Sequence, residues 1–94
     1  MLSTVGPDGA ATLAENPDRL KAVNAEVESM GVRVFAQWAL LGPYDFCTIL
    51  DAPDEKTMAR VARVLGSRGT LKTLTLPAIP IDDYIEAVRR IPAD

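Results

Sequence analysis

Residues Val32–Ala52, with the sequence VRVFAQWALLGPYDFCTILDA, contain two extended segments joined by a turn. Alternation in the first segment predicts a strand with two distinct faces. One face carries Val32, Val34, Ala36, Trp38 and Leu40, and the other carries Arg33, Phe35, Gln37 and Ala39. Gly42 and Pro43 mark the turn, and the second segment, Asp45–Ala52, is apolar on both faces. These features predict an antiparallel hairpin whose second strand lies at the centre of a sheet.

The sequence before the hairpin predicts one strand and one main helix. Met1–Val5 is the strand, residues 6–9 (Gly-Pro-Asp-Gly) form a turn, and Ala10–Glu15 form a short helical turn. Asn16 is expected to cap the main helix, and Gly31 is expected to end it. The apolar stripe of this helix recurs every three or four residues, at Leu20, Val23, Val27 and Met30.

A second helix, a further strand and a final helix are predicted after the hairpin. Asp54 begins the second helix, and Gly66 is expected to end it. The strand is Thr70–Leu76, and Asp82 is expected to cap a last helix that runs to Arg90. The order β-α-β-β-α-β-α is typical of the ferredoxin-like, split βαβ fold of the α+β class, with a four-stranded antiparallel sheet.

The length of 94 residues fits a single domain over 1–94 with a modest core. Each of the two main helices has one apolar stripe, so together they can cover only one face of the sheet. The other face also carries apolar side chains, and a large exposed apolar face is rare on a monomer. We therefore expect a second subunit, the C-terminal helix, or both to cover it, which predicts a homodimer or higher oligomer.

The composition excludes several classes of site. The chain has no histidine and one cysteine, Cys47, so it lacks the ligands of a structural zinc site, a proximal histidine for haem, and a Ser-His-Asp or Cys-His catalytic set. We expect no metal and no cofactor. A net charge of −3 disfavours nucleic acid as a partner, and no apolar run approaches the roughly 20 residues that cross a bilayer. Because the N-terminus has no signal-peptide pattern, the expected location is the cytoplasm.

Several motifs, taken in order, resemble those of the GYD domain family. They are Asn16-Pro17-Asp18-Arg19, the run Leu40–Asp45 with Gly42, Tyr44 and Asp45 that name the family, Ala52-Pro53-Asp54, residues 66–70 and residues 73–78. The resemblance spans nearly the whole chain and implies a dimeric α+β barrel of ferredoxin-like subunits, but no defined activity. Without histidine, the chain departs from the haem-binding and histidine-dependent monooxygenase branches of the wider superfamily. Members usually have more apolar residues before this first strand, so we expect either a start upstream of Met1 or a short strand.

Tyr44, Asp45 and Lys72 are the candidate catalytic residues. Tyr44 and Asp45 follow the hairpin turn, where a phenol and a carboxylate can hold a ligand or move a proton. In the structural interpretation, which is favoured, Asp45 caps loop amides and Tyr44 packs at a corner or a subunit contact. Lys72 is either a base or anion anchor in an apolar space or, as favoured, a lysine that protects an edge strand.

Trp38 and Arg68 are the candidate ligand-binding residues. Trp38 is the single tryptophan, and it can line a pocket or anchor a core or subunit contact, the second being favoured. Arg68 lies between Gly66 and Gly69, where a guanidinium and backbone amides can hold an anion, although no phosphate-loop sequence follows. Cys47, on a central strand, is expected to be a buried and inert thiol.

Two main functional hypotheses follow. The first is a homo-oligomer that binds a small molecule or supports a larger assembly without a cofactor. The alternative is a cofactor-independent enzyme, monooxygenase-like or isomerase-like, that acts on a small, partly apolar substrate through Tyr44, Asp45 and Lys72. A pocket that receives two of these three side chains favours the enzyme, and their placement at the surface favours the binder. A ligand-sensing regulatory module is a third hypothesis.

Overall fold

The computed structural model describes residues 1–68, 71–90 and 92. Within these residues the chain forms four strands and four helices. In chain order they are β1 (Leu2–Val5), α1 (Pro7–Glu15), α2 (Arg19–Ser29), β2 (Arg33–Ala39), β3 (Phe46–Asp51), α3 (Glu55–Ser67), β4 (Leu71–Leu74) and α4 (Ile81–Arg89). None of these described helices has the length and apolarity that a membrane span requires.

The four described strands form one antiparallel sheet in the order β2-β3-β1-β4. Strands β2 and β3 form the predicted hairpin, and β1 lies between β3 and β4. This order, with helices connecting β1 to β2 and β3 to β4, confirms the ferredoxin-like α+β fold. The central position of β3 agrees with its apolar character on both faces.

Hydrogen bonds around Asp45 tie the hairpin to β1. The Asp45 amide donates to the Ser3 carbonyl at 2.9 Å, and the Val5 amide donates to a carboxylate oxygen of Asp45 at 2.8 Å. The Thr48 amide donates to the Met1 carbonyl at 2.8 Å. Because partly buried backbone groups need partners, these bonds fix the position of the turn relative to β1.

The core lies between the helices and one face of the sheet. Val27 of α2, Val32 just before β2, and Val61 and Leu65 of α3 are each at most 2% exposed. Val61 and Leu65 are four residues apart, so they lie on the same face of α3. The helices therefore cover the sheet from one side only, as their single apolar stripes predicted.

Two predicted helix ends are confirmed. Asp54 caps α3, and its carboxylate accepts a hydrogen bond from the Thr57 amide at 2.7 Å. This bond holds the pKa of the Asp54 carboxyl below its usual value. Gly31 follows α2 with a φ of +92°, a conformation that glycine adopts without the steric cost of a side chain.

The boundaries of α1 and α2 differ from the prediction. Helix α1 starts at Pro7, so the Gly-Pro-Asp-Gly run begins a helix instead of forming a turn before one. Proline is well suited to a first helical position. Asn16 does not cap α2, because it ends α1, where its amide donates to the Thr12 carbonyl at 2.9 Å. Helix α2 then starts at Arg19.

The later boundaries also shift by a few residues. Gly66 lies inside α3, which ends at Ser67, so it is not the cap. Asp82 lies in the first turn of α4 and Pro80 occupies the cap position, where Asp82 still faces the positive end of the helix dipole. Strand β4 ends at Leu74 instead of Leu76, and the predicted first residue of that strand, Thr70, lies outside the described residues.

The predicted alternation of β2 is wrong beyond Val34. The register between β2 and β3 shifts between Val34 and Ala36, which is a β-bulge at Phe35. The resulting pairs are Val34 with Leu50, Ala36 with Ile49, Gln37 with Thr48, Trp38 with Cys47 and Ala39 with Phe46. Because side chains alternate with a period of two, the extra residue moves Ala36 and Trp38 to the face opposite Val34, and brings Gln37 to the helix-covered face.

Candidate functional site

The sheet face turned away from the helices is the first candidate site, and we call it the open sheet face. The register places on it Leu2 and Thr4 of β1, Ala36 and Trp38 of β2, Cys47 and Ile49 of β3, and Lys72 and Leu74 of β4. Trp38 is 55% exposed, Leu74 42% and Ile49 38%. The described chain therefore leaves the larger apolar side chains of this face open to solvent.

The description of this face is completed by the surroundings of Phe35 and Cys47. Phe35, at the bulge, is exposed, and the guanidinium of Arg33 lies 5.6 Å from the centre of its ring. Cys47 is a free thiol that is half-buried, whereas the sequence predicted a buried one. Its exposure is explained by the missing cover, since the central strands are shielded by helices on their other side only.

Residues 75–90 form a second apolar surface, and we call this segment the C-terminal arm. Every residue of the arm is exposed. The apolar residues of α4 share one stripe, at Ile81, Tyr84, Ile85 and Val88. The radius of gyration is 15.8 Å, against about 12 Å for a compact domain of this length. The arm thus extends from the body and presents an apolar stripe that the described chain leaves uncovered.

A cavity of about 180 Å³ lies between the sheet and helices α1 and α2, with the end of α3 at its edge. We call it the helix–sheet cavity. Most of its wall is apolar, including Leu13, Leu20, Val23, Val34, Phe46 and Leu50. The bulge in β2 is one cause of its shape, because it turns Gln37 toward this side of the sheet.

Ser3, Asn24, Gln37 and Thr48 line one part of the helix–sheet cavity, and we call them the polar stripe. Asn24 donates from Nδ2 to Gln37 Oε1 at 2.7 Å, and Gln37 donates from Nε2 to Thr48 Oγ1 at 3.1 Å. Thr48 is 2% exposed and Ser3 is 4% exposed. The Ser3 hydroxyl makes no hydrogen bond with any residue that the structure describes. Since no fully buried side-chain oxygen among these residues lacks a partner, the Ser3 oxygen is open to the cavity. A polar patch therefore lies inside an otherwise apolar enclosure.

Two arginines, both exposed, stand at the edge of the helix–sheet cavity. Arg68 donates two hydrogen bonds to the carboxylate of Glu26, which lowers the pKa of Glu26 and raises the pKa of Arg68. The charge of Arg19 lowers the pKa of Glu26 further, but the Arg19 guanidinium forms no hydrogen bond or ion pair within the described chain. The edge therefore carries two cations and one anion.

The structure places the predicted site residues in different surroundings. Of the five candidates, Arg68 lines the helix–sheet cavity, where its partner is Glu26. Trp38 and Lys72 lie on the open sheet face, on the two edge strands.

The remaining two candidates are near the hairpin turn. Tyr44 is half-buried in the turn, and Asp45 accepts a hydrogen bond from the amide of Val5, the last residue of β1. Neither of them is among the described residues that line the helix–sheet cavity, and Lys72 is not among them either. The cavity therefore does not receive the acid–base set that the enzyme hypothesis requires.

Sequence reasoning missed the polar stripe. Thr48 was a detectable signal, since it is a polar residue at the middle of an apolar central strand. Gln37 was assigned to the wrong face because the bulge falls at Phe35, and a phenylalanine gives no local sign of a bulge. Ser3 joins the stripe only because β1 pairs beside β3, with Ser3 opposite Phe46.

Comparison with known proteins gives two matches. The sequence matches the GYD domain family over residues 1–88, which includes most of the C-terminal arm. It is 52% identical over 90 residues to a Thermus thermophilus protein named glutamine synthetase and cystathionine beta-lyase binding protein, and the match covers 95% of each chain. No solved structure matches this chain.

Proposed function

The chain belongs to the GYD domain family, and from this premise we propose that it is a non-catalytic homo-oligomer that binds other proteins. The observation that carries the proposal is the pair of uncovered apolar surfaces, the open sheet face and the stripe of the C-terminal arm. Contiguous apolar surfaces of this kind are typical of protein contacts and are unfavourable in water.

The proposed occupant of the open sheet face is a second copy of the chain. Four strands about 4.8 Å apart, with about five residues each at about 3.3 Å per residue, make a face of roughly 300 Å² in projection. A stable interface buries roughly 800 Å² of each partner, so the sheet alone is too small. The stripe of α4 adds apolar area when it lies on the partner's body, which accounts for an arm that extends from its own subunit.

The distribution of side chains on the open sheet face suits a two-fold contact. Trp38, Ile49 and Leu2 lie across β2, β3 and β1, whereas the single lysine of the face, Lys72, lies on the β4 edge. A two-fold axis brings the same patch of both subunits together. The apolar residues then form the centre of the contact and the ammonium group stays at the rim, as in most interfaces.

The proposed further partners are enzymes. The Thermus thermophilus relative is named as binding glutamine synthetase and cystathionine beta-lyase, and the high identity along both chains supports a shared binding role. The lack of an acid–base set around the described part of the helix–sheet cavity favours binding over catalysis. A homo-oligomer also presents its outer surface more than once, which raises the avidity for a partner with several sites.

The self-association is tested with Trp38→Glu by light scattering coupled to gel filtration. We expect a dimer or larger species for the native chain and at least tenfold weaker association for the variant, because a charge replaces a large aromatic contact. Leu41→Glu is the matched control, since Leu41 is fully exposed in the turn outside the open sheet face. A native chain that stays monomeric at high micromolar concentration, or equal effects of both variants, would contradict the proposed dimer.

The role of the arm is tested separately with Ile85→Glu on the α4 stripe. The proposed arm contact predicts weaker association for this variant, whereas a dimer held by the sheet alone predicts no change. Circular dichroism of each variant shows whether the fold is retained. Since no residue of α4 is buried, we expect the body to stay folded.

The proposed binding of enzymes is tested with purified glutamine synthetase and cystathionine beta-lyase from the organism that encodes the chain. We expect immobilised chain to bind at least one of them at micromolar concentration, and Leu41→Glu to bind equally well. Binding of neither enzyme would contradict the assignment of these partners. The light-scattering result is independent of this outcome, so the two parts of the proposal can fail separately.

A further inference from the structure

We propose that the helix–sheet cavity binds a small organic acid, a monocarboxylate with a compact apolar body that carries one further oxygen. The cavity lies on the helix-covered side of the sheet, opposite the open sheet face. The proposal is therefore independent of the self-association and enzyme binding proposed above. Three properties of the cavity support it: its volume, the polar stripe, and the charge at its edge.

The volume of the helix–sheet cavity limits the size of the ligand. At about 180 Å³ it exceeds the roughly 150 Å³ of an engineered apolar cavity that takes up benzene. A single ring or a branched chain with two small polar substituents fits this space. The apolar walls provided by Leu20, Val23 and Leu50 suit the hydrocarbon body of such a ligand.

The polar stripe indicates that the ligand carries an oxygen on its body. Ser3 is 4% exposed and lines the cavity, yet its hydroxyl has no hydrogen-bond partner in the described chain. No fully buried side-chain oxygen of the described residues lacks a partner, so the Ser3 oxygen is open to the cavity and can bond to a ligand there. Thr48 Oγ1 accepts from Gln37, which leaves the Thr48 hydroxyl hydrogen free to be donated. Two hydroxyl donors thus border the same enclosed space.

The edge of the cavity selects an anion. Among the described lining residues, the charged side chains are both arginines, and Arg68 is already held by Glu26. The N-terminal ammonium of Met1 also lines the cavity and donates to the Thr48 carbonyl at 2.8 Å. The guanidinium of Arg19 has no ion-pair partner in the described chain, and its planar donors match a carboxylate. Arg19 and Val23 are four residues apart in α2, so the cation lies beside an apolar wall. A ligand with a carboxylate next to a hydrocarbon body can pair with the guanidinium and contact the apolar wall at the same time.

The probe for this site is 4-hydroxybenzoate, which carries a ring, a carboxylate and a second oxygen. Benzoate lacks the hydroxyl and phenol lacks the carboxylate, so each tests one part of the proposal. Isothermal titration calorimetry with the full chain is expected to give saturable binding, tightest for 4-hydroxybenzoate. Amide shifts in nuclear magnetic resonance spectra are expected at Ser3, Asn24 and Thr48. Absence of saturable binding of all three probes at millimolar concentration would overturn the proposal.

Two variants locate the charge contribution. Arg19→Gln is expected to weaken 4-hydroxybenzoate binding by about tenfold, the loss typical of one charge-assisted contact, while phenol binding stays unchanged. Arg63→Gln is the matched control, because Arg63 is an exposed arginine of α3 that does not line the cavity. If both variants lose 4-hydroxybenzoate affinity equally, the anion is attracted only by the overall charge of the chain. That result would overturn the assignment of Arg19 as the residue that binds the carboxylate.

Ser3→Ala tests the hydroxyl contribution. The variant removes one oxygen without adding volume, so the fold is expected to persist, and thermal unfolding checks this. Binding of 4-hydroxybenzoate and phenol is expected to weaken severalfold, and binding of benzoate to stay unchanged. If benzoate weakens by the same factor, Ser3 does not contact the ligand oxygen and that part of the proposal is wrong.

Discussion

The two faces of the one sheet differ in nearly every physical property, although the same four strands supply both. On the helix-covered face, Thr48 is 2% exposed and its hydroxyl accepts a hydrogen bond from Gln37, and the helices add the buried Val61 and Leu65. On the open sheet face, Trp38 remains 55% exposed with no described element above it. Consecutive residues of one strand therefore lie alternately in the protein interior and on a solvent-exposed surface.

The difference separates the face whose burial supports folding from the face on which we propose self-association. Burial of apolar area stabilises the fold in proportion to the area removed from water. The helix-covered face provides that burial within one subunit, so its substitutions are expected to affect the unfolding free energy. Substitutions on the open sheet face are expected to affect association, with little effect on an isolated subunit.

The largest difference in the loss of unfolding free energy is expected between Leu65→Ala and Leu74→Ala. Leu65 is 2% exposed in the core, and its truncation is expected to lower the unfolding free energy by about 2–5 kcal/mol through lost burial and a cavity. Leu74 is 42% exposed on the open sheet face, and the same change is expected to cost less than about 1 kcal/mol. Urea denaturation of dilute, monomeric protein measures both. Similar losses would show that the two faces contribute alike to folding.

A smaller difference in the free energy of unfolding is expected between Thr48→Val and Thr4→Val. These are isosteric changes on opposite faces of the sheet. Thr48→Val removes the acceptor of the 3.1 Å bond from Gln37 and leaves that amide unpaired, at a cost of about 1–2 kcal/mol. Thr4→Val is expected to change stability by at most about 0.5 kcal/mol. Gln37 Oε1 also accepts from Asn24, so Asn24→Leu and Gln37→Leu are added together to Thr48→Val, and part of the loss is expected to be recovered because no unpaired amide remains. The same denaturation experiment tests all of these variants, and no recovery would argue against the unpaired amide as the cause.

The smallest expected effect is the pH-dependent stabilisation of the fold by the Glu26–Arg68 pair, which lies at the edge of the helix–sheet cavity. The pKa of Glu26 is lowered in the folded chain, chiefly by the hydrogen bonds from Arg68. The stabilisation is therefore present above the unfolded pKa, near 4.5, and is lost as the pH falls through the lower folded pKa. Because the pair is largely solvent-exposed, the effect is expected to be smaller than those of the core substitutions.

The measurement for this pair is the melting temperature of Glu26→Gln against the native chain. A lower value is expected for the variant at neutral pH, and the difference is expected to vanish at acidic pH. The control is Glu86→Gln on the C-terminal arm, whose partner Arg90 is 77% exposed, and no difference is expected there. A pH-independent difference for Glu26→Gln would mean that the side chain acts through packing instead of charge.

Prediction from sequence succeeded where a short-range pattern carries the information. The turn around Gly42, the caps at Asp54 and Gly31, and the doubly apolar β3 are each set by residues close together in the chain, and the structure agrees with them. Prediction failed where one residue has two local roles. Asn16 is a good cap for the following helix, but in the folded chain it ends the preceding one.

The candidate sites were less predictable than the fold. The open sheet face was expected as an apolar surface, but the bulge at Phe35 changed which residues of β2 belong to it. Trp38 was singled out as a candidate ligand-binding residue and was grouped with Val34, which lies on the opposite face. The polar stripe was not predicted at all, because its members come from three strands and one helix.

By itself, the sequence determined the order of helices and strands, the single apolar stripe of each main helix and the absence of histidine chemistry. Periods of two and 3.6 residues are local properties, so they can be read without knowing the fold. Only the tertiary structure brought Ser3, Gln37 and Thr48 into one cavity and joined Glu26 to Arg68 across 42 residues of sequence. These contacts depend on strand register and helix placement, which are decided by packing of the whole chain and not by any segment alone.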